Sequence, residues 1–301
     1  MNQANKKDLS IVIVTFNSSK IIESCLSKIN FDRYDVVIVD NASSDNTINL
    51  VTSKFPKTKI IKLSQNVGYG NGNNAALEQV DTDFALILNP DAVILEKDIE
   101  IVLDSMKKDE KIALAGPLTL RRYYDRDESA QEAMQKIEKN SLINKENNGN
   151  FLVKFIVGAA VFMRMSILKK IGFYDKNIFL YYEDDELCRR VIKNNYKNII
   201  VIEAIAFHLE AQSSQKSFKG SCKKAWHFEA WSKLYWKKIV KGNLMAKKSA
   251  IRLIIKYFFK TILSLLKFDA EDAAYNFSAF LGAFSFLIGL DAFRKNGSPR
   301  G

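Results

Sequence analysis

Four acids in a row, Glu183-Asp184-Asp185-Glu186, open a run with helical spacing, Asp184–Asn194, and follow a Tyr181-Tyr182 pair. Acids are favourable at a helix N-terminus, but four adjacent carboxylates repel one another and the two tyrosines point to a partly buried cleft. Crowding and desolvation both disfavour the charged form, which raises one carboxyl toward the pKa of a useful general base. A second set of polar residues follows a series of short apolar runs: Thr15-Phe16-Asn17, Asp40-Asn41, Asn66-Val67-Gly68-Tyr69-Gly70 and Asn89-Pro90-Asp91. A carboxylate accepts from a pyrimidine N3–H, while amides and small residues let backbone approach ribose and phosphate. Each of these short motifs alone is also a common turn. In this order, converging on one edge, they build a nucleotide pocket.

The runs that must position them are Ile11–Val14, Val36–Val39, Ile60–Ile61, Phe84–Leu88 and Ile112–Ala115, which read as strands buried on both faces. Helical periodicity lies between them over Lys20–Asn30, Ser44–Lys54, Asn73–Gln79 and Glu96–Lys108, with Ser43 or Ser44 as N-cap of the second. This β-α-β order predicts a mostly parallel, doubly wound sheet, whose ligands bind beyond the carboxyl ends of its strands. Residues 121–150 turn polar and Asn-rich, as expected of a surface insertion. The core resumes at Phe151–Met165, and a last strand is expected at Ile199–Ile202.

Several chemistries are excluded. The Gly68–Asn73 stretch holds GxGxG rather than GxGxxG and follows the third strand, with no acid at the expected ribose position, which argues against a nicotinamide enzyme. The alternative for these glycines is a structural turn needing positive φ. A nucleotidyltransferase would carry a glycine-rich, basic loop after the first strand, where this chain has TFNSSK, and the intact acid cluster at 183–186 argues against a catalytically silent, membrane-bound nucleotide-binding protein. With two histidines in 301 residues, no multi-histidine mechanism is available. Three cysteines without a CxxC pair argue for a reducing compartment, and MNQANKKDLS offers no apolar core of a signal peptide.

The net charge of +11 is concentrated. Thirteen Lys, one Arg and a single acid, Glu229, fall between Lys216 and Phe268, leaving the remainder slightly negative. Lys248, Arg252, Lys256 and Lys260 stand four apart among many large aliphatic and aromatic residues, the pattern of a helix lying in an anionic membrane surface. Trp226, Trp231, Tyr235 and Trp236, interleaved with lysines, suit the same boundary layer. The alternative is a core-packed helix with a solvated lysine edge. Nucleic acid is not expected as a partner beside so many aliphatics. Ala273–Leu290 carries no charge but only just reaches bilayer-spanning length, and Asn276 and Ser278 weaken it; a re-entrant or interfacial hairpin with the preceding helix is the expectation.

The motifs SIVIVTFNSS (10–19), VIVDNASSDNT (37–47), NVGYGNGNNAA (66–76), LILNPDAVI (86–94) and GAAVFMR with IGFYDKNIFLYYEDDELCRR (158–190) together resemble family 2 glycosyltransferases of the GT-A fold, in particular the rhamnosyltransferase-like branch of bacterial surface polysaccharide synthesis. The resemblance runs over about residues 9–215. It implies a GT-A domain over 1–215, an α/β fold with a Rossmann-like, mostly parallel sheet flanked by helices, followed by a basic, membrane-associating helical region over 216–301. It further implies nucleoside contacts from Thr15, Asn17 and Asp40, with Asn66, Gly68 and Asn74 lining the same pocket. Asp91 becomes the last acid of a metal-binding DxD motif that here reads Asn89-Pro90-Asp91. His208 matches a later histidine that completes a Mg²⁺ or Mn²⁺ site, with Ser213 or Ser214 near the phosphates; a core histidine is the alternative. Asp184 is assigned as the base, Glu183 as its support and Glu186 as a matching acid. The implied reaction is inverting sugar transfer to a lipid-linked saccharide at the cytoplasmic membrane face. dTDP-L-rhamnose is the first candidate donor, and UDP-hexoses or UDP-N-acetylhexosamines the second.

Overall fold

The predicted apolar runs become strands: β1 (Leu9–Thr15), β2 (Asp35–Asp40), β3 (Lys59–Lys62), β4 (Phe84–Leu88) and β6 (Ile112–Leu120). Between and after them come β5 (Ala92–Ile94), β7 (Phe151–Leu152), β8 (Ala160–Arg164) and β9 (Lys197–His208). The computed structural model describes residues 7–120, 135, 150–208 and 218–301; Ser213, Ser214 and the 121–134 and 136–149 parts of the polar segment lie outside the described residues. The sheet runs in the order β3-β2-β1-β4-β8-β6-β9-β5, with β7 pairing on β9. It is parallel from β3 to β4 and again between β6 and β9, and antiparallel where β8 joins β4 and β6 and where β5 and β7 join β9. Isoleucine, leucine and valine of β1, β2 and β4 are buried on both faces, as expected. Ile60 and Ile61 are only half-buried because β3 is the sheet edge, flanked by exposed Lys59 and Lys62 that guard it against further pairing.

Helices α1 (Ile22–Leu26), α2 (Thr47–Lys54), α3 (Tyr69–Leu77), α4 (Glu96–Lys108) and α6 (Glu183–Lys193) fill the predicted places with shifted ends, while α5 (Met165–Ile171) was not anticipated. Ser43 and Ser44 do not cap α2. The helix starts at Thr47 because Asp45 accepts from the Thr47 amide and hydroxyl, while the Ser43 hydroxyl accepts from the Asn17 amide and the Ser44 amide donates to Asn17 Oδ1. The expected cap residues are thus occupied in tying the loop to the end of β1.

Two compact units emerge. One comprises the described residues of Met1–Ser64, Gly72–Tyr174 and Asp184–Ser213, which hold the sheet; the other comprises those of Gln65–Asn71, Asp175–Glu183 and Ser214–Gly301. The second unit contains α7 (Phe218–Lys224), a π-helical stretch Ala225–Trp231, α8 (Ser232–Lys241), α9 (Asn243–Leu266) and α10 (Ala270–Leu287). Trp226 and Trp231 are not at a surface: both are 3% exposed and pack with Phe179, Ala230, Leu234 and Ala283 in this unit's core. The hairpin of α9 and α10 forms as expected. Asn276, which weakens the run as a membrane span, is buried and donates to Ser264 Oγ and the Asp272 carbonyl, so its amide pins the two helices. Among the described residues no helix is long and apolar enough to cross a membrane.

One irregularity sets the position of the last strand. The β6–β9 register shifts between Pro117 and Leu118, where β9 contributes extra residues between Val201 and Ile205. Beyond the shift, β9 also pairs with β5, placing His208 opposite Ala92. The Ile205 amide donates to the carboxylate of Asp98, a buried residue of α4, at 3.0 Å. Removing that acceptor leaves a buried donor unsatisfied, which costs about 1–3 kcal/mol. Asp98→Ala is therefore expected to lower stability by that amount in a denaturant titration. Asp98→Asn, which keeps an acceptor oxygen, loses less; equal losses would exclude the bond as the cause.

Candidate functional site

Strand direction collects the polar residues of the first unit on one edge. β1, β2 and β4 are parallel, so Thr15, Asp40 and the Asn89–Asp91 turn all follow their carboxyl ends, with Thr15 opposite Asp40. β8 runs the other way, so its beginning lies at that edge, and the Asn89 amide donates to the Ala159 carbonyl at 2.9 Å. β9 ends there as well, bringing His208 beside β5 and Asp91.

Thr15 is fully buried, and its Oγ1 has no hydrogen-bond partner among the described residues. Asp40 is buried and accepts from the Ser43 amide at 3.1 Å through one oxygen. Asn17 adopts φ 53°, a left-handed conformation that asparagine tolerates. Its Oδ1 accepts from Ser44 and Asp45 amides and so shapes the 43–45 loop. Gly72 presses on Val14 and lies near the Asn41 amide group, where a side chain would collide. Asn74 is buried with both ends of its amide on the Tyr174 backbone, Nδ2 to O at 2.9 Å and Oδ1 from N at 3.0 Å. Asn66 and Gly68 belong to the second unit. There the Gly68 amide donates to Asn66 Oδ1, and Gly68 takes φ 89° against the Phe179 carbonyl, which leaves no room for a Cβ.

Asp91 has a fully buried side chain whose Oδ1 lies 3.2 Å from His208 Nε2, and the Asn89 amide nitrogen lies 3.3 Å from the same ring nitrogen. His208 is therefore no apolar-core histidine: its side chain is 16% exposed beside a carboxylate. Asp91 also helps to raise the Cys25 thiol, pushed up to about 12 by burial first and by this charge second. Two adjacent ligands of an octahedral Mg²⁺ ion, each at about 2.1 Å, stand about 3 Å apart. The Asp91–His208 pair meets that spacing with one hard oxygen and one imidazole nitrogen, so the donor set fits such an ion. Among the described residues no three His, Cys, Asp or Glu side chains gather as a complete metal cage, so further ligands would have to come from a bound substrate or water.

Asp184, in the first turn of α6, lies against Gly158 just before β8, and any Cβ on Gly158 would fall inside its carboxylate. Its pKa is pushed up to about 7, by burial first and the neighbouring Asp185 charge second, with the Tyr174 hydroxyl pulling it back. Glu183 is buried as well. Glu186 is engaged elsewhere: it pairs with Arg190 at 2.7 Å, and Arg190 in turn donates to the carbonyls of Ile171, Gly172 and Phe173, closing the end of α5. In the second unit Tyr181 and Tyr182 take φ 69° and 70°, and both rings contact Phe228. Two successive bulky residues in the left-handed region carry strain of the kind found beside functional groups. Gly158, Tyr174 and Asn74 thus form a chain of contacts around Asp184. Gly158 and Tyr174 were visible in sequence only as parts of longer motifs. A carboxyl with a pKa near neutrality, on the edge that holds Asp91 and His208, can remove a proton from a hydroxyl.

A family model described as "Glycosyl transferase family 2" matches residues 10–172. The chain is 28% identical over 204 residues to the low-salt glycan biosynthesis hexosyltransferase Agl10 of Haloferax volcanii, covering 65% of each protein. It is 23% identical over 243 residues to an N-acetylglucosaminyl-diphospho-decaprenol L-rhamnosyltransferase of Mycobacterium tuberculosis, covering 68% of this chain and 77% of that one. Among solved structures, the mannosyltransferase PcManGT from Pyrobaculum calidifontis in complex with GDP-Man and Mn²⁺ superposes with a TM-score of 0.58 at 14% identity, over 95% of this chain and 88% of that one. That likeness identifies the fold as GT-A-like.

The causes of the Asp184 shift have opposite signs and can be separated. Asp185→Asn removes a raising charge and is expected to lower the Asp184 pKa. Tyr174→Phe removes a hydrogen bond to the ionised form and is expected to raise it. Carboxyl ¹³C chemical shifts followed against pH measure both, and unchanged midpoints would show that neither neighbour acts on Asp184.

Proposed function

Because the chain belongs to glycosyl transferase family 2, as the match over residues 10–172 establishes, we propose that it transfers a sugar from a nucleoside diphosphate donor to a hydroxyl of a lipid-linked saccharide, with inversion at the anomeric carbon. The observation that carries this reading is the Asp184 carboxyl, raised to about 7 and seated on Gly158 at the sheet edge that also holds Asp91. The donor sugar proposed is L-rhamnose from dTDP-rhamnose; the named activity of the mycobacterial relative supports it. Residues 1–215 form the transferase domain in this reading, and 216–301 hold it at the cytoplasmic face of the membrane, an anionic surface.

Thr15, Asn17 and Asp40 receive the nucleoside, Asp40 through the oxygen that Ser43 leaves open and Asn17 by holding the 43–45 loop. Asn66 and Gly68 are assigned to the same donor pocket in this reading, as the family resemblance implies. Asn74 holds Tyr174, and Tyr174 tunes Asp184. Asp184 takes the proton of the acceptor hydroxyl while that oxygen bonds to the anomeric carbon. The bond from that carbon to the diphosphate oxygen breaks, and the nucleoside diphosphate leaves with the electron pair. Glu183, the buried acid that precedes the base in the chain, supports it in this reading. Asp91 and His208 would hold a divalent ion, Mg²⁺ or Mn²⁺, which when bound offsets negative charge on the departing diphosphate.

Asp184→Asn is expected to cut kcat by about 10²–10⁴-fold, the usual worth of a general base, while nucleotide-sugar binding persists. Near-normal turnover would remove Asp184 from this role. In the wild type, kcat/KM should rise with pH through about 7 as the base ionises. The folded state raises the pKa of Asp184, so the group opposes folding increasingly as pH climbs from the ordinary carboxyl range through about 7. Asp184→Asn should therefore melt above wild type at pH 8, with the difference closing toward pH 4. A panel of dTDP-, UDP- and GDP-sugars screened for thermal stabilisation with Mg²⁺ or Mn²⁺ identifies the donor.

A further inference from the structure

The helix α9 has two apolar faces, and among the described residues only one of them is packed. Ala246, Ala250, Tyr257 and Ser264 are buried, the last pinned by Asp272 and Asn276 of α10. On the opposite side Leu244, Ile251, Ile255, Phe258, Ile262 and Leu266 succeed one another at intervals of seven, four, three, four and four residues, one stripe of an α-helix. Every one of them is exposed, Leu244 and Leu266 by about two thirds. Arg252, Lys256, Lys260 and Lys267 form an edge beside this stripe, all exposed. On α10 a shorter row, Phe277, Leu281 and Phe284, is exposed too. At the turn between the helices Phe268 is 96% exposed and adopts φ 56°. An aromatic residue in the left-handed region is a backbone outlier, and among the described residues almost nothing packs on its ring.

We propose that this hairpin inserts its tip and outward stripe into the interfacial layer of an anionic bilayer, Phe268 leading and the lysine edge meeting lipid headgroups. The inference deepens the membrane placement proposed above by naming the surface that makes it. Charge selects the occupant. No acid lies between Asn243 and Phe268, which carry six Lys and Arg, so a second copy of the same face would meet like charge. Scattered exposed apolar residues are ordinary, but a continuous row on one helix face marks an interaction surface. Lysines reach headgroups while their stems lie along the apolar stripe.

Flotation of the full chain with phosphatidylcholine vesicles, with and without phosphatidylglycerol, tests the proposal. Wild-type protein should float with the anionic vesicles, and high salt should weaken but not abolish the association. Phe268→Gly suits φ 56° and keeps the fold, so its expected loss of about ten-fold in partitioning reports insertion. Phe259→Ser with Leu266→Ser, both at exposed positions, should lose as much or more. Lys256→Gln and Lys260→Gln should each lose about five-fold on anionic vesicles and nothing on neutral ones. Failure of the wild type to float, complete release by salt, or unchanged partitioning of the apolar variants would overturn the proposal. So would lipid-free self-association, seen by sedimentation, that Phe268→Gly abolishes. None of these measurements needs turnover. Transfer to a water-soluble acceptor, assayed separately, decides the proposed reaction, and the hairpin variants should retain it.

Discussion

A carboxylate can lie where Asp184 lies only because Gly158 has no side chain. That contact in turn requires β8 to run antiparallel beside β4, since only then does the residue preceding a strand fall at the edge where β1, β2 and β4 end. The Asn89 amide closes the arrangement by donating to the Ala159 carbonyl, one residue from the glycine. The turn that carries Asp91 and the strand start that receives Asp184 are thus joined through a single backbone hydrogen bond and one missing methyl. A fully parallel sheet would send the beginning of β8 to the far edge and separate the two acids.

The same closeness explains why the acid is tuned. Burial and the Asp185 charge push Asp184 up to about 7, and Tyr174, held through both ends of the Asn74 amide, pulls it back. A base of this kind is held against its own hydration, so the fold around it is less stable when it is ionised. The left-handed Tyr181 and Tyr182 immediately upstream add backbone strain. Stability is therefore supplied elsewhere, by the double-sided burial of β1, β2 and β4 and by Arg190 collecting the carbonyls of Ile171, Gly172 and Phe173.

Sequence carried the strands and the polar residues that end them, because double-sided burial demands unbroken apolar runs and ligand-bearing turns must follow them. The acid cluster was legible for the same reason: four adjacent carboxylates are too unfavourable to be incidental. What sequence could not carry was long-range partnership. Asn74 reads as a pocket amide, yet both its ends are taken by a residue 100 positions away. Glu186 reads as a fourth acid but is paired with Arg190. Ser43 and Ser44 read as helix caps, yet they serve Asn17, 26 and 27 residues earlier. The shift in β9 that sets His208 beside Asp91 leaves no local mark, because its hydrogen-bond partner, Asp98, comes from the distant helix α4.

The basic C-terminal region shows how a local pattern admits two solutions and how backbone geometry chooses between them. Lysines interleaved with tryptophans suit either a membrane boundary or a packed core with a charged rim. Residues five apart on an α-helix point about 140° away from each other, which would split Trp226 from Trp231 and turn one of them outward. The stretch from Ala225 to Trp231 is instead π-helical, with bonds between residues five apart. The two indoles therefore share a face and stack with centroids 6.1 Å apart and planes within 9°. Both enter the core, where Trp231 also donates to the Leu290 carbonyl. With Trp226 and Trp231 consumed internally, most of the apolar surface left outside comes from α9, α10 and the Phe268 turn, a different set of residues from those that composition first suggests. A segment can thus have boundary-like composition throughout and still divide into residues that pack inside and residues that remain exposed, the change of pitch at Ala225–Trp231 deciding on which side the two indoles fall.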